Sequence, residues 1–444
     1  MGGEVVHLLD DGGRTWLVPA SANETAGQAL TRAQSHGVAG SPTTLAILRR
    51  SHAADGAAPP ADVVRVLSLG HKVVALATLV VQDAVQACVV DVYQVTGSTG
   101  VGACVAQGVP LPEFWRSQGW SVWLCPDVTA APEVSSAAVQ SSGHVLMVAP
   151  SAFQSNAQSA EDNAFMAASG GNGIDDGITA AALAEHAGLV AALSQAGVRV
   201  HVFSHSYQHG TPDAVFPNNW FAAAADGTLA LFPMRNPNRA AERRQDLVAW
   251  LQGRPGWRRT LDWTATEREA PPRVVEGTGS LVIDHLHRTA YLCRSERSDE
   301  ALAKAMAAEL GLSLLAFDAT DSSGRAIYHT NVLLAIGTGV AVVCDEAIPE
   351  GQREGVVQAL RAGGSREVVC ITRQQMCSFC GNVLEVQAAG LPVLAMSTAA
   401  HRAFTGEQKA VLLRHVARLV HAPLDTIERV GGGGVRCCIG ELFH

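Results

Sequence analysis

The chain has 444 residues, 48% of them apolar, enough for one large domain or two to three ordinary ones with a sizeable core. Its formal charge is −9 and it has no Lys/Arg block, so the basic patch needed to hold nucleic acid or an anionic membrane surface is missing. Ten scattered cysteines form no disulfide-like framework, which points to reduced thiols and a cytoplasmic setting without excluding an organelle.

The opening "MGGEVVHLLDDGG" lacks a positive segment followed by a cleavable apolar core, and its acidic residues argue against a transit peptide. The most apolar run, 73–90, is interrupted by Gln82, Asp83 and Gln86, so no membrane span is expected there. Residues 1–140 are rich in Ala, Gly, Ser and Val and carry no usable motif. "HAADGAAPPAD" (52–62) is a turn-rich break, and "GSTGVG" (97–102) looks like a phosphate loop but lacks the following Lys. This stretch is read as an N-terminal extension of undefined structure.

From "HVLMVAPSAF" (144–153) onward, short β-type runs alternate with amphipathic helices. A helix is expected over 177–197 and a strand over 198–204. Hairpins follow at 220–232, about Asp226-Gly227, and at 280–294. A helix over 297–311 has Ser298 as its N-cap and Gly311 as its stop. Then come a hairpin (331–345), a helix (352–364), strands at 367–372 and 391–397, and a helix over 406–419. A unit of strands plus a helix thus recurs, as in mixed sheets covered by outer helices, with loops converging on one site.

Four polar islands interrupt this pattern: "DAVFPNNWF" (213–221), "VVEGTGSLVIDH" (274–285), "IYHTNVLL" (327–334) and "GGGGVRCCIGELFH" (431–444). Taken singly, each has a bland reading: Asn218 and Asn219 suit a turn, His329 suits a core, and a lone Cys is usually a small hydrophobe. As a set they supply a Cys, a His and a Glu, the inventory of nucleophilic catalysis.

These islands, with "VLMVAPSAFQSNAQSAEDNAF" (145–165), "PMRNPNRAAERR" (233–244) and "CGNVLEV" (380–386), resemble the guanidino-group-modifying enzymes of the pentein superfamily. The resemblance is nearest to the citrulline-utilisation hydrolases, an arginine-deiminase-related branch, and it does not cover residues 1–140. It implies an α/β fold for 141–444, a five-bladed propeller of ββαβ units around a central pocket. It also implies Cys437 as nucleophile, His329 as general acid and base, Glu276 as supporting carboxylate, and no metal or organic cofactor. The partner it implies is a small amino acid, citrulline or arginine; oligomeric state is left open, a homo-oligomer included.

The chain departs from the deiminase pattern at two positions. Carboxylates that grip a guanidinium normally stand where this chain has Asn219 and Asn331. A buried guanidinium without a carboxylate is costly, whereas a ureido group pairs well with amides, so Asn218, Asn219 and Asn331 favour citrulline. In the alternative, Glu276 and a second acid bind arginine. Arg239 and Arg243 are candidate anchors for the substrate carboxylate, or else a solvated helix start. A thiolate at Cys437 is expected to pair with protonated His329. Cys438 is expected to point away, because neighbours in an extended stretch face opposite sides. Amidino transfer and a non-catalytic amino-acid sensor are the rival functions. "CSFC" (377–380), the series His201, His205, His209, and "IDHLH" (283–287) lack the geometry of a metal site.

Overall fold

Short strands rich in β-branched residues pair locally and leave helices to cover them, and the computed structural model shows this over most of the chain. It describes residues 139–166, 175–205 and 209–443, and six N-terminal strands. The runs 52–62 and 73–87 and residues 97–99 lie outside the described residues. Contacts divide the chain into two units. One is Met1–Ala130 with Ala149–Ala152 and Val202–Gly210; the other is Ala131–Val148 with Phe153–His201 and Thr211–His444.

The first unit holds strands that the sequence reading did not name. β1 (Val5–Leu9) and β2 (Thr15–Pro19) form an antiparallel pair. β3 (Thr44–Arg50), β4 (Arg65–Ser68), β5 (Cys88–Thr96) and β6 (Gly100–Pro110) form a sheet in the order β4-β3-β5-β6. The stretch resembling a phosphate loop thus runs into a strand.

The second unit repeats one pattern: an antiparallel hairpin, a helix, then a strand parallel to the second hairpin strand. β9 (Phe221–Ala223) and β10 (Thr228–Leu231) form the first hairpin, and helix Gln245–Gln252 leads to β11 (Arg259–Asp262). β12 (Leu281–Asp284), β13 (Thr289–Cys293), helix Glu300–Glu309 and β14 (Ser313–Phe317) repeat it. So do β15 (Leu334–Ile336), β16 (Val340–Val343), helix Glu350–Arg361 and β17 (Glu367–Cys370). β18 (Leu384–Ala388) and β19 (Leu391–Ser397) precede helices Thr398–Ala403 and Gly406–Leu412 and then β20 (Leu419–Ala422). The fifth sheet joins the two ends of the repeat: β21 (Gly440–Leu442) pairs antiparallel with β7 (His144–Ala149), beside β8 (Arg199–Ser204). Five three-stranded sheets with outer helices are consistent with a propeller-like α/β fold.

Two expected boundaries shift for local reasons. The N-cap of Glu300–Glu309 is Asp299, whose carboxylate accepts from Leu302 N, while Ser298 is held in a β-bridge to Val275. The helix expected over 406–419 ends at Leu412, because the chain must turn to enter β20. Gly177–Ala196 is apolar and long enough to cross a membrane, but 56% of it is buried within the protein, as in a core helix.

A buried ion pair ties the second hairpin to the third sheet. Arg366 Nη1 donates to Asp284 Oδ2 at 2.6 Å, both side chains are fully buried, and Arg366 also caps the Gly337 and Leu360 carbonyls. Removing one partner strands the other charge, so Arg366→Ala should lower the unfolding free energy by about 3–5 kcal/mol. Chemical denaturation of the purified variant reads this as a lower midpoint; an unchanged midpoint would show that the pair is dispensable.

Candidate active site

Each of the five sheets receives its first strand from a short turn, and each turn carries a polar residue shortly before the strand begins. Pro217–Asn219 precedes β9, Glu276 and Gly277–Ser280 precede β12, and His329 with Thr330–Val332 precedes β15. Asn382 stands just before β18, and Cys437 just before β21. Proline at the first helical position sets the first of these turns, since it needs no donor there.

Glu276 is fully buried and holds three partners. His329 Nε2 lies 2.9 Å from Oε2, Arg297 Nη1 lies 3.4 Å from the same oxygen, and Arg235 N donates to Oε1 at 3.0 Å. Burial alone would push this carboxyl up; Arg297 first and then His329 outweigh that and hold it well below the usual carboxylate range. A charged Glu276 fixes the proton of neutral His329 on Nε2 and leaves the Nδ1 lone pair free. Arg297 is itself braced by Asp162 and the Ser159 carbonyl.

Cys437 is buried and touches two amides: Asn382 Nδ2 at 3.3 Å and Asn331 Nδ2 at 3.6 Å from Sγ. It lies in a turn, not the expected extended stretch: Cys438 N donates to the Gly434 and Val435 carbonyls. Cys438 is buried as well, and burial lifts its thiol well above the usual range. The glycines before it are packed rather than loose. Gly432 (φ 66°) is the one of the four at positive φ, and Asn163 fills the space where its Cβ would stand.

The expected resting ion pair is not what the surroundings favour. Burial pushes the Cys437 thiol up, and Asn382, Arg436, the Gly434 backbone and Asn331 offset this only in part. Burial likewise pushes the His329 imidazole down against the pull of Glu276. No hydrogen bond joins thiol to imidazole among the described residues, and burial works against charge on both.

Asn218 and Asn219 are buried with atoms unsatisfied: both amide atoms of Asn218, and Nδ2 of Asn219. Asn219 Oδ1 accepts from Arg239 Nη2 at 3.1 Å, which turns its NH2 the other way. That NH2 and His329 Nδ1 both border Gly279. Arg239 spends Nε and Nη2 on Glu242, the Phe216 carbonyl and Asn219, leaving Nη1 without a partner among the described residues. Arg243, by contrast, is no free anchor. It pairs with Glu267 at 2.5 Å and donates to the Phe232 carbonyl, and none of its contacts is with Cys437, His329 or Asn219.

Three groups escaped the sequence reading: Asn382, Arg297 and Glu242. Asn382 left a signal, because "TNVL" (330–333) and "GNVL" (381–384) repeat the same turn. Arg297 and Glu242 left none, since both act through pairs made only in the fold.

Residues 149–444 match the family described as N,N dimethylarginine dimethylhydrolase, eukaryotic. The chain belongs to this dimethylhydrolase family. It is thus a pentein-superfamily hydrolase of non-peptide C–N bonds, the superfamily that the motifs resemble. No curated protein matches the chain in sequence. Among solved structures, the N-terminal domain of ArgZ covalently bound to a reaction intermediate is 16% identical with a TM-score of 0.53, covering 67% of this chain and 97% of that one. Apo ArgZ, an arginine dihydrolase from the ornithine–ammonia cycle in cyanobacteria, has the same identity and TM-score, and the match spans 40% of its length. Unliganded AgrE is 17% identical with a TM-score of 0.53, over 67% of this chain and 39% of that one. At these identities the likeness is one of fold.

A methyl group at Gly279 would stand 2.3 Å from Asn219 Nδ2 and 2.8 Å from His329 Nδ1. Gly279→Ala should therefore push both groups off their positions and slow C–N bond hydrolysis by roughly 100-fold while the protein stays folded. Undiminished turnover would show that the two groups do not act together. Glu428, on helix Asp425–Gly431 ahead of the glycines, has a buried oxygen with no partner, and burial pushes its carboxyl up to about 8. Between its ordinary value of 4.5 and about 8 the folded state keeps a proton that the unfolded chain has released. Stability therefore falls as pH rises through that window. Glu428→Gln should flatten this dependence in thermal melts and exceed the parent above pH 8.

Proposed function

We propose that the protein hydrolyses the ureido group of a free amino acid, with citrulline as the favoured substrate and ornithine, ammonia and carbon dioxide as products. Residues 141–444 are read as the catalytic domain, a five-bladed α/β propeller with this site at its centre. The observation that carries the reading is the orientation of Asn219. Arg239 occupies its oxygen, so the amide offers a donor. A guanidinium consists of donors only, whereas a ureido carbonyl accepts. Two buried carboxylates of the site, Glu276 and Glu242, are already matched by Arg297 and Arg239.

In the reaction, His329 Nδ1 takes the Cys437 proton, and Glu276 stabilises the imidazolium that forms. The thiolate attacks the ureido carbon. His329 returns the proton to the leaving ornithine amine, and a carbamoyl thioester remains on Cys437. Neutral His329 then activates water, which cleaves the thioester to carbamate, and carbamate breaks down to ammonia and carbon dioxide. Arg239 Nη1 is placed to hold the substrate carboxylate.

A second reading, attack on the guanidinium of arginine or a methylated arginine, is favoured by Asp213. Its Oδ1 is buried without a partner, while Oδ2 accepts from Asn156 and Ser159. The family name and the arginine dihydrolase neighbours point the same way, and a cationic substrate would help ionise a neutral thiol.

The readings separate on ammonia release from citrulline and from arginine, with Cys437→Ser as the blank. The ureido reading expects citrulline turnover. It also expects Asn219→Asp to move the preference towards arginine by about 10–100-fold, as a hydrogen bond to a charged group would. Turnover of arginine alone by the parent, with citrulline left as product, would defeat it.

A further inference from the structure

We propose that Asn382 is a catalytic residue: together with Asn331 it forms a pair of amide donors that stabilises the Cys437 sulfur as thiolate at the moment of attack. The inference rests on Cys437 being the nucleophile and is independent of which amino acid is the substrate.

Both amides reach one sulfur, at 3.3 Å from Asn382 and 3.6 Å from Asn331, and all three side chains are buried. The orientation of the Asn382 amide is over-determined. One N–H of Nδ2 goes to the Asn331 carbonyl at 2.8 Å, the other faces Sγ, and Oδ1 accepts from Cys437 N at 3.4 Å. The reverse flip would set oxygen against oxygen and against a sulfur about to become negative. Asn331 can serve both protonation states. Its Oδ1 lies 4.0 Å from the thiol as acceptor, and its Nδ2 is ready as donor once the proton has gone.

The other groups around the sulfur are engaged elsewhere. Tyr328 donates to the Gly432 carbonyl, Arg436 to the Ile439 carbonyl and Glu441, and His329 binds Glu276 through Nε2. Cys437 raises the Cys438 thiol through space, and among the described residues no hydrogen bond joins the two. The two asparagines occupy matching places in consecutive repeats, each opening an Asn-Val-Leu turn. Gly381 lets these turns close on each other: a Cβ there would fall 2.3 Å from the Val332 carbonyl oxygen. In the chemical step the S–H bond breaks, the proton passes to His329 Nδ1, and the electron pair stays on sulfur under two N–H donors.

The test is the pH dependence of iodoacetamide alkylation of the full-length protein without substrate, with peptide mass mapping to assign the adduct to Cys437. Asn382→Ala should raise the alkylation midpoint by about one pH unit. Asn382→Asp should raise it further, because its carboxylate repels the thiolate. Asn382→Ala also strips a bond from the Asn331 carbonyl; if it melts early, the isosteric Asp variant decides. An unmoved midpoint in a variant that melts like the parent would overturn the proposal, whatever happens to turnover. An adduct chiefly on Cys438 would overturn the nucleophile assignment itself. No outcome depends on the choice between citrulline and arginine.

Discussion

A carboxylate with no exposed surface, Glu276, has to remain charged, and the site is organised around that demand. Taking such a group out of water costs several kcal/mol unless partners replace the solvent. Arg297, the Arg235 N–H and His329 are those partners. Arg297 in turn needs Asp162 and the Ser159 carbonyl, which draws the 159–162 turn against the site. The same constraint sets the histidine: with Nε2–H committed to Glu276, the lone pair must sit on Nδ1, the nitrogen that borders Gly279 and Asn219. One buried negative charge thereby decides where the base can act.

The repeat explains how residues so far apart in sequence reach this charge. Each of these sheets begins at a turn, so five turns supply the polar groups without long loops whose closure would cost entropy. The fifth sheet can be completed only when β21 pairs with β7, so Cys437 is delivered by the strand pairing that joins the two ends of the repeat. Packing of the glycine loop serves the same end. Gly431 and Gly433 lie against Phe216, and Gly434 lies against Asn382 Oδ1, with no room for side chains. The glycines there look flexible in the sequence and are fixed in the fold.

What the sequence disclosed follows from range. Hairpins and helices of the second unit were legible because local periodicity carries them, and contiguous motifs singled out Cys437, His329 and Glu276, of which the fold pairs the last two. The ion pairs were not. Arg239 and Arg243 share one short motif, yet one faces Glu242 and Asn219 and the other Glu267, a distinction made by partners remote in sequence. The resting Cys–His pair was expected to be charged because the residue types allow it; burial, which a sequence does not display, opposes charge on both. The N-terminal strands were missed for a different reason. β5 is rich in valine, but its Ala- and Gly-rich surroundings blur the period-two signal.

Most of the buried charges around the site are paired. Glu276 is balanced by Arg297 and Glu242 by Arg239, Asp213 keeps one oxygen without a partner, and burial works against charge on sulfur and imidazole. Among them stand the buried amides of Asn219, Asn331 and Asn382. A buried thiol forms its thiolate most readily beside fixed dipoles already oriented before the proton moves, since reorienting them during the step would raise the barrier. Amides locked by Arg239 on one side and by the Asn331 carbonyl on the other meet that requirement. Asn219 beside Gly279 and Asn382 beside the sulfur thus share one feature: each amide is oriented by a partner within the fold.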